Sequence, residues 1–156
     1  MRKALWGWLA LSGVVMALDI YSKHLVQQAL LYGEQRPVTS FFNLVLFHNE
    51  GAAFSFLAGA GGWQRIFFSA IALVAAVIIV DLLRKHAEQK VFSLGLALIL
   101  GGALGNLYDR VSLGYVVDFL FFHYETFYWP AFNVADSAIV GGVMLLLWDS
   151  LGKAKA

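Results

Sequence analysis

Asn106, Asp109, Arg110, Asp118, Asn133 and Asp136 lie in or beside runs of sequence apolar enough to cross a bilayer. An ionisable group at that depth costs about 3 kcal/mol on insertion scales, so such residues are candidates for function by default. The carboxylates offer the most direct chemistry. Two aspartates within hydrogen-bond reach cannot both ionise cheaply, so one keeps a proton and the other does not. The ionised member can take a proton from water attacking a carbonyl carbon, while the protonated member hydrogen-bonds the carbonyl oxygen.

Other chemistries have less material. The chain has no cysteine, which excludes disulfides, thiol nucleophiles and thiolate metal sites. His24, His48, His86 and His123 are dispersed, so no metal site and no cofactor is expected, and Ser137 has no base near it in the pattern. Among the aspartates, Asp118 and Asp136 make the better pair. Asp118 sits between Val116-Val117 and Phe119-Leu120-Phe121-Phe122, a setting that raises a carboxyl pKa, and Asn133 lies three residues before Asp136, on the same helical face. Asp109 is followed directly by Arg110 and reads as a structural ion pair. Position and spacing alone leave three readings open: a catalytic dyad, a proton or ion pathway, and structural pairing.

The elements that must position these residues follow from composition. Of 156 residues, 60% are hydrophobic and 13% charged, with a mean hydropathy of +0.72. A soluble domain averages about 45–50% apolar and about 25% charged, so this is an integral membrane protein. The net charge of +1 points to no nucleic-acid partner. Four spans are expected, at approximately 5–24, 63–83, 91–109 and 130–151, with extracytoplasmic segments at 25–62 and 110–129, in a single membrane-embedded domain over 1–156. The basic start and apolar run to Leu18 could be a cleaved leader, but Met16-Ala17-Leu18-Asp19 is a poor cleavage site, and a retained first helix is expected. Asp19 and Lys23, four apart, can pair where that helix leaves the membrane. Segment 38–47 favours short strands, Asn49-Glu50-Gly51 is a turn signal, and Gly59 to Gly62 is a connector. Pro130 suits the first turn of the fourth helix. Gly101, Gly102 and Gly105 form a small-residue face for helix packing.

Charge sets the orientation. Arg2, Lys3, Arg84, Lys85, Lys90, Lys153 and Lys155 fall on one side, against Lys23, Arg36, Arg65 and Arg110 on the other. By the positive-inside rule both termini are cytoplasmic. Asp19, Asn106, Asp109, Asn133 and Asp136 then gather in the outer half of the membrane, while Asp81 and Asp149 mark helix ends on the opposite face.

Five motifs in order, DIYSK (19–23), NEGAAF (49–54), GGALGNLYDR (101–110), VVDF (116–119) and FNVADS (132–137), resemble those of the lipoprotein signal peptidase (signal peptidase II) family. The resemblance spans most of the chain. It implies an endopeptidase with catalytic aspartates at Asp118 and Asp136, and substrate-binding or dyad support from Asp19, Lys23, Asn49, Gly51, Asn106, Asp109, Arg110, Asn133 and Ala135. It implies a diacylglyceryl-modified prolipoprotein as substrate, cut before the lipid-modified cysteine, and a site near the outer face of the bacterial cytoplasmic (inner) membrane, in contact with membrane lipids. A monomer is expected. The fold expected is mainly α, four transmembrane helices with a small extracytoplasmic β-strand platform and a short surface helix. Segment 38–57 is expected to act as a mobile gate over the site. A small transporter or a non-catalytic scaffold is the alternative; the first would put its carboxylates near mid-membrane and show a repeat.

Overall fold

A computed structural model of the chain describes residues 2–51 and 62–153. Within them the order is α1 (Arg2–Ala29), β1 (Gln35–Pro37), β2 (Phe42–Asn49), α2 (Trp63–His86), α3 (Lys90–Ser112), β3 (Val116–Tyr124), β4 (Phe127–Tyr128) and α4 (Val134–Lys153). All four helices are long and apolar enough to cross a membrane. Their outward faces carry large apolar side chains, Val77, Met144 and Trp148 among them, that stay exposed. Lipid, unlike water, tolerates such a surface, and a helix satisfies its own backbone polar groups there.

The centre of the bundle is α3. Half of its most apolar stretch is buried, against 11–17% for the other helices, and it packs on α1, α2 and α4. Small residues make this possible. A Cβ on Gly95 would stand 2.8 Å from the Gly142 carbonyl oxygen of α4, and one on Gly102 would collide with the Ala135 carbonyl. The expected glycine face therefore serves two partners: Gly101 meets α1 at Ser12 and Val15, and Gly102 meets α4. At the end of the bundle near the chain's loop at 87–89, Ile79, Leu83, Leu96 and Leu100 form the core under Leu5, Trp8 and Leu9, and the Trp8 indole N–H donates to the Ala87 carbonyl at 2.9 Å.

The strands form one antiparallel sheet in the order β1-β2-β3-β4 at the other end. In the β2–β3 register, Leu44 faces Leu120 and Phe47 faces Asp118, so β2 carries one extra residue there. This bulge breaks the inside–outside alternation, and the consecutive Val45 and Leu46 are both buried. Leu30, Leu46 and Val117 seat the sheet on the end of α1. Residue Phe132, just before α4, pairs with Leu120, its carbonyl accepting the N–H groups of Phe119 and Leu120.

Several expected boundaries move. Helix α1 extends to Ala29, past the expected 24, because residues 25–29 hold no breaker before Gly33. Helix α3 continues to Ser112, so residues 110–112 are helical. Helix α4 starts at Val134, not at Pro130, because Phe132 is committed to β3 and Asn133 caps the helix. Strands occupy 35–37 and 42–49, where short strands were expected within 38–47. The gate expected over 38–57 is corrected in its first part: β2 is hydrogen-bonded on both edges, a fixed strand of the platform. Its remainder, residues 52–57, lies outside the described residues, as do Gly59 to Gly61. No short surface helix is present among the described residues.

Candidate active site

Asp118 and Asp136 come from different elements. Asp118 lies in β3 and is 4% exposed; Asp136 is in the first turn of α4. Asn133 joins them. Its side-chain oxygen accepts the Asp136 backbone N–H at 2.9 Å, which is the N-cap bond of α4. Its amide nitrogen donates to Asp118 Oδ1 at 2.7 Å and to the Val117 carbonyl at 3.2 Å. The helix start and the strand are thus fixed against each other by one side chain.

Asp118 Oδ2 and Asp136 Oδ1 have their own donors. Asn49, at the end of β2, gives its Nδ2–H to Asp118 Oδ2 at 3.0 Å, while its Oδ1 accepts the Gly51 N–H at 3.1 Å. Asn106 of α3 donates to Asp136 Oδ1 at 2.8 Å. Burial, and after it the negative charge of Asp136, pushes the Asp118 carboxyl up to about 7, against the opposing pull of Asn49, Asn133 and the Lys23 charge. A carboxyl so placed keeps its proton up to about neutral pH.

Beneath the pair lies a buried ionic group. Lys23 is 1% exposed. Its Nζ contacts Asp19 Oδ2 at 2.7 Å, Asp109 Oδ2 at 2.9 Å and Asn106 Oδ1 at 2.9 Å. Asp19 Oδ1 accepts the Ala135 N–H at 2.8 Å, and Asp109 Oδ2 accepts the Val117 N–H at 3.1 Å. Gly105 leaves room for Asp19: a Cβ there would stand 2.5 Å from Asp19 Oδ2.

A cavity of about 550 Å³ opens at this place. Asn49, Asn106, Arg110 and Asp136 form its polar wall, and Val116, Trp129, Pro130, Ala131, Phe132, Ile139 and Val140 its apolar one, with Ser137 beside them. Asp118 stands one hydrogen bond behind, through Asn49. Arg110 donates to the Gly51 carbonyl at 3.1 Å and stacks its guanidinium over the Phe68 ring at 5.4 Å. A buried carboxyl next to a second one at the wall of a mostly apolar cavity has the groups that general acid–base chemistry uses.

Comparison with known proteins agrees. The family model described as signal peptidase (SPase) II matches residues 11–152. The chain belongs to the signal peptidase II family. Relatives named lipoprotein signal peptidase include that of Paraburkholderia phytofirmans, 54% identical over 95% of this chain and 86% of its own length. That of Ralstonia nicotianae is equally similar, 54% identical over the same shares. Among solved structures, a bacterial membrane enzyme determined by the in meso method at 2.3 Å resolution superposes with a TM-score of 0.86, at 29% identity over 95% of this chain and 89% of that one. A second, at 1.9 Å resolution, gives a TM-score of 0.79 at 29% identity. Signal peptidase II is a peptidase, hence a hydrolase, and this member is a bacterial multi-pass membrane protein.

All eleven residues singled out in the signal peptidase II sequence fall in or directly beneath this one site, but two roles change. Asp109 pairs with Lys23 and the Val117 N–H, not with Arg110, whose guanidinium reaches Gly51 instead. Adjacent helical residues point about 100° apart, so sequence neighbours are poorly placed to pair. The Asp19–Lys23 pair forms as the spacing suggests, and it is buried. Asn133 orients Asp136 as an N-cap and not as a neighbour on a helical face. Residues 129–132, which wall the cavity, and Ile139 and Val140 were not legible as site residues, since apolar residues at a helix entry look like packing. The one available signal was Asn133-x-x-Asp136, the spacing of an N-cap and its third helical residue.

Proposed function

We propose that this signal peptidase II is an intramembrane aspartic endopeptidase that removes the signal peptide from diacylglyceryl-modified prolipoproteins, cutting before the lipid-modified cysteine. The observation that carries the reading is the convergence of Asp118 and Asp136 through Asn133 at one cavity, with Asp118 held up at about 7. Asp118 holds the proton and hydrogen-bonds the scissile carbonyl oxygen. Asp136, which lines the cavity, takes a proton from water as the water oxygen attacks the carbonyl carbon. Collapse of the tetrahedral intermediate breaks the C–N bond: the nitrogen takes a proton from the pair and leaves as the new amino terminus of the lipidated cysteine, and the signal peptide leaves with a carboxylate. Because the reading needs Asp118 protonated, kcat falls as pH rises through about 7.

The cation distribution supports cytoplasmic termini and a site facing the periplasm, where a lipid-anchored peptide presents its scissile bond at the bilayer edge. The exposed Trp129, Tyr128 and Phe127 suit contact with lipid at that level. The dyad sits at the first turn of one helix and in a strand, at one end of the bundle, which fits a peptidase better than a mid-membrane ion path. The chemistry uses no cofactor and one chain. The test is to incubate purified protein, in detergent with added phospholipid, with a prolipoprotein with and without its diacylglyceryl group. Release of the signal peptide from the lipidated form, and its loss in Asp118→Asn and Asp136→Asn, is expected; near-normal turnover in either variant overturns the dyad.

A further inference from the structure

We propose that Ser137 is a substrate-binding residue of this site: its hydroxyl oxygen accepts the backbone N–H of the residue that supplies the scissile carbonyl. The proposal rests on the peptidase reading above and adds how the signal-peptide side of the cut is held.

A peptide drawn into the cavity brings a backbone donor and acceptor at nearly every residue, and a group left unpaired in a buried place costs about 1–3 kcal/mol. Free acceptors are scarce on the cavity wall. Asn49 Oδ1 already takes the Gly51 N–H, Asn106 Oδ1 takes the Lys23 ammonium, and Asp136 Oδ1 takes the Asn106 amide. The Phe132 carbonyl accepts the N–H groups of both Phe119 and Leu120. Arg110 and the Trp129 side chain can only donate, and the rest of the wall is apolar. Asp136 Oδ2 is left for the attacking water. Among the described residues that line the cavity, Ser137 Oγ is then the side-chain acceptor that no protein donor occupies.

The Ser137 hydroxyl is set to accept. Its hydrogen goes to the Asn133 carbonyl one turn back, at 2.9 Å. A hydroxyl has one donor and two acceptor lone pairs, so what it offers the cavity is oxygen alone. The same bond argues against a nucleophile, since the hydrogen meets a carbonyl and not a base. Serine on a helix often bonds back in this way only to satisfy itself. Ser12 and Ser112 do so too, but Ser12 is buried and also bonds the Ala97 carbonyl of α3, and Ser112 does not line the cavity. Ser137 is exposed, lines the cavity and directly follows Asp136.

Position selects which N–H is met. Helix α4 starts beside the sheet and runs into the bundle, at about 1.5 Å per residue, so Ser137 and then Val140 line the cavity on the membrane side of Asp136. The signal peptide is the part of the substrate that lies on that side. The first N–H there, counted from the carbonyl that water attacks, belongs to the residue that supplies this carbonyl.

The experiment compares wild type, Ser137→Ala, Ser137→Thr and Ser137→Val, purified in detergent with phospholipid, on two lipidated prolipoprotein peptides. One has the ordinary backbone; in the other an ester oxygen replaces the N–H of the residue before the cut, and product masses locate the cleaved bond. Threonine and valine have nearly the same shape and differ in the hydroxyl, and the Asn133 carbonyl keeps the N–H of residue 137 in every variant. On the ordinary peptide Ser137→Val and Ser137→Ala should lose on the order of 10-fold in kcat/KM, the scale of one hydrogen bond, and Ser137→Thr should recover most of that loss. On the ester peptide the four proteins should turn over alike, because the hydroxyl has lost its partner. Wild-type kcat/KM for Ser137→Ala on the ordinary peptide overturns the proposal. So does an equal loss on both peptides, which would mark a hydroxyl that serves the helix start and not the substrate. If the β-methyl crowds the cavity, Ser137→Thr and Ser137→Val fall together, and Ser137→Ala decides by the same two criteria. Asp118→Asn and Asp136→Asn run alongside: turnover in those would mean that the peptidase reading itself is at fault.

Discussion

Replacing Asp118 by Asn should abolish cleavage and, above neutral pH, make the protein more stable. The sign comes from linkage. The Asp118 carboxyl moves from an ordinary 3.8 to about 7 in the folded protein. Between those values the unfolded chain has lost a proton that the folded chain keeps, so wild-type stability falls as pH rises through this window and levels off above it. The span 7 − 3.8 = 3.2 on the pH scale, at 1.36 kcal/mol for each step of one, corresponds to about 4 kcal/mol as an upper bound. The asparagine side chain cannot ionise and escapes this cost. Against the gain stands a local one: Asn49 and Asn133 both donate to the carboxylate, and an amide offers one oxygen for two donors. Neither neighbour can turn round freely, because Asn49 Oδ1 holds the Gly51 N–H and Asn133 Oδ1 holds the Asp136 N–H. An unsatisfied donor of this kind costs about 1–3 kcal/mol. The variant should thus gain about 1–3 kcal/mol over wild type at pH near 8 and be equal or less stable at pH near 4. Equilibrium unfolding in mixed micelles at the two pH values measures this, since other titrating groups cancel between the proteins. A difference that keeps its sign and size at both pH values would refute the burial and charge argument for Asp118.

Gly105→Ala should lower activity strongly, because its Cβ would stand 2.5 Å from Asp19 Oδ2 and push that carboxylate off Lys23 and off the Ala135 N–H. An overpacked core site of this kind costs about 1–3 kcal/mol, and the combined loss of kcat and melting temperature checks it; wild-type behaviour in both would contradict the close packing. Asp81→Asn and Asp149→Asn should leave kcat within about twofold, because these carboxylates pair with Lys85 and Lys153 at i, i+4 at the end of the bundle away from the site, where solvent screens such contacts. Treatment with EDTA should leave turnover unchanged, since among the described residues no three His, Asp or Glu converge on a metal position; inactivation reversed by one divalent ion would count against it.

Composition by itself determined the membrane class and the four helices, because hydropathy over a bilayer's width is a local property and each helix satisfies its own backbone. The strand at 42–49 was legible in outline from β-branched and aromatic residues after a proline, whereas the strand Gln35–Pro37, which has none, was not, nor was the bulge that buries Val45 and Leu46 together. Part of the site was legible as carboxylates and carboxamides in apolar sequence that need partners, whereas Asn49, Gly51 and Ala135 stood out only through the family resemblance. Who partners whom was decided only by the tertiary structure. Asp109 looked committed to Arg110, yet α3 turns the two side chains apart and gives Asp109 to a lysine far away in sequence. Pro130 looked like the start of α4, yet the pairing of Phe132 with Leu120 holds that segment to the sheet and leaves Asn133 to begin the helix. The same shift brings Asp136 up to the end of the bundle beside Asp118. Local propensity could not foresee it, because the competing hydrogen bonds come from β3 and not from the segment itself.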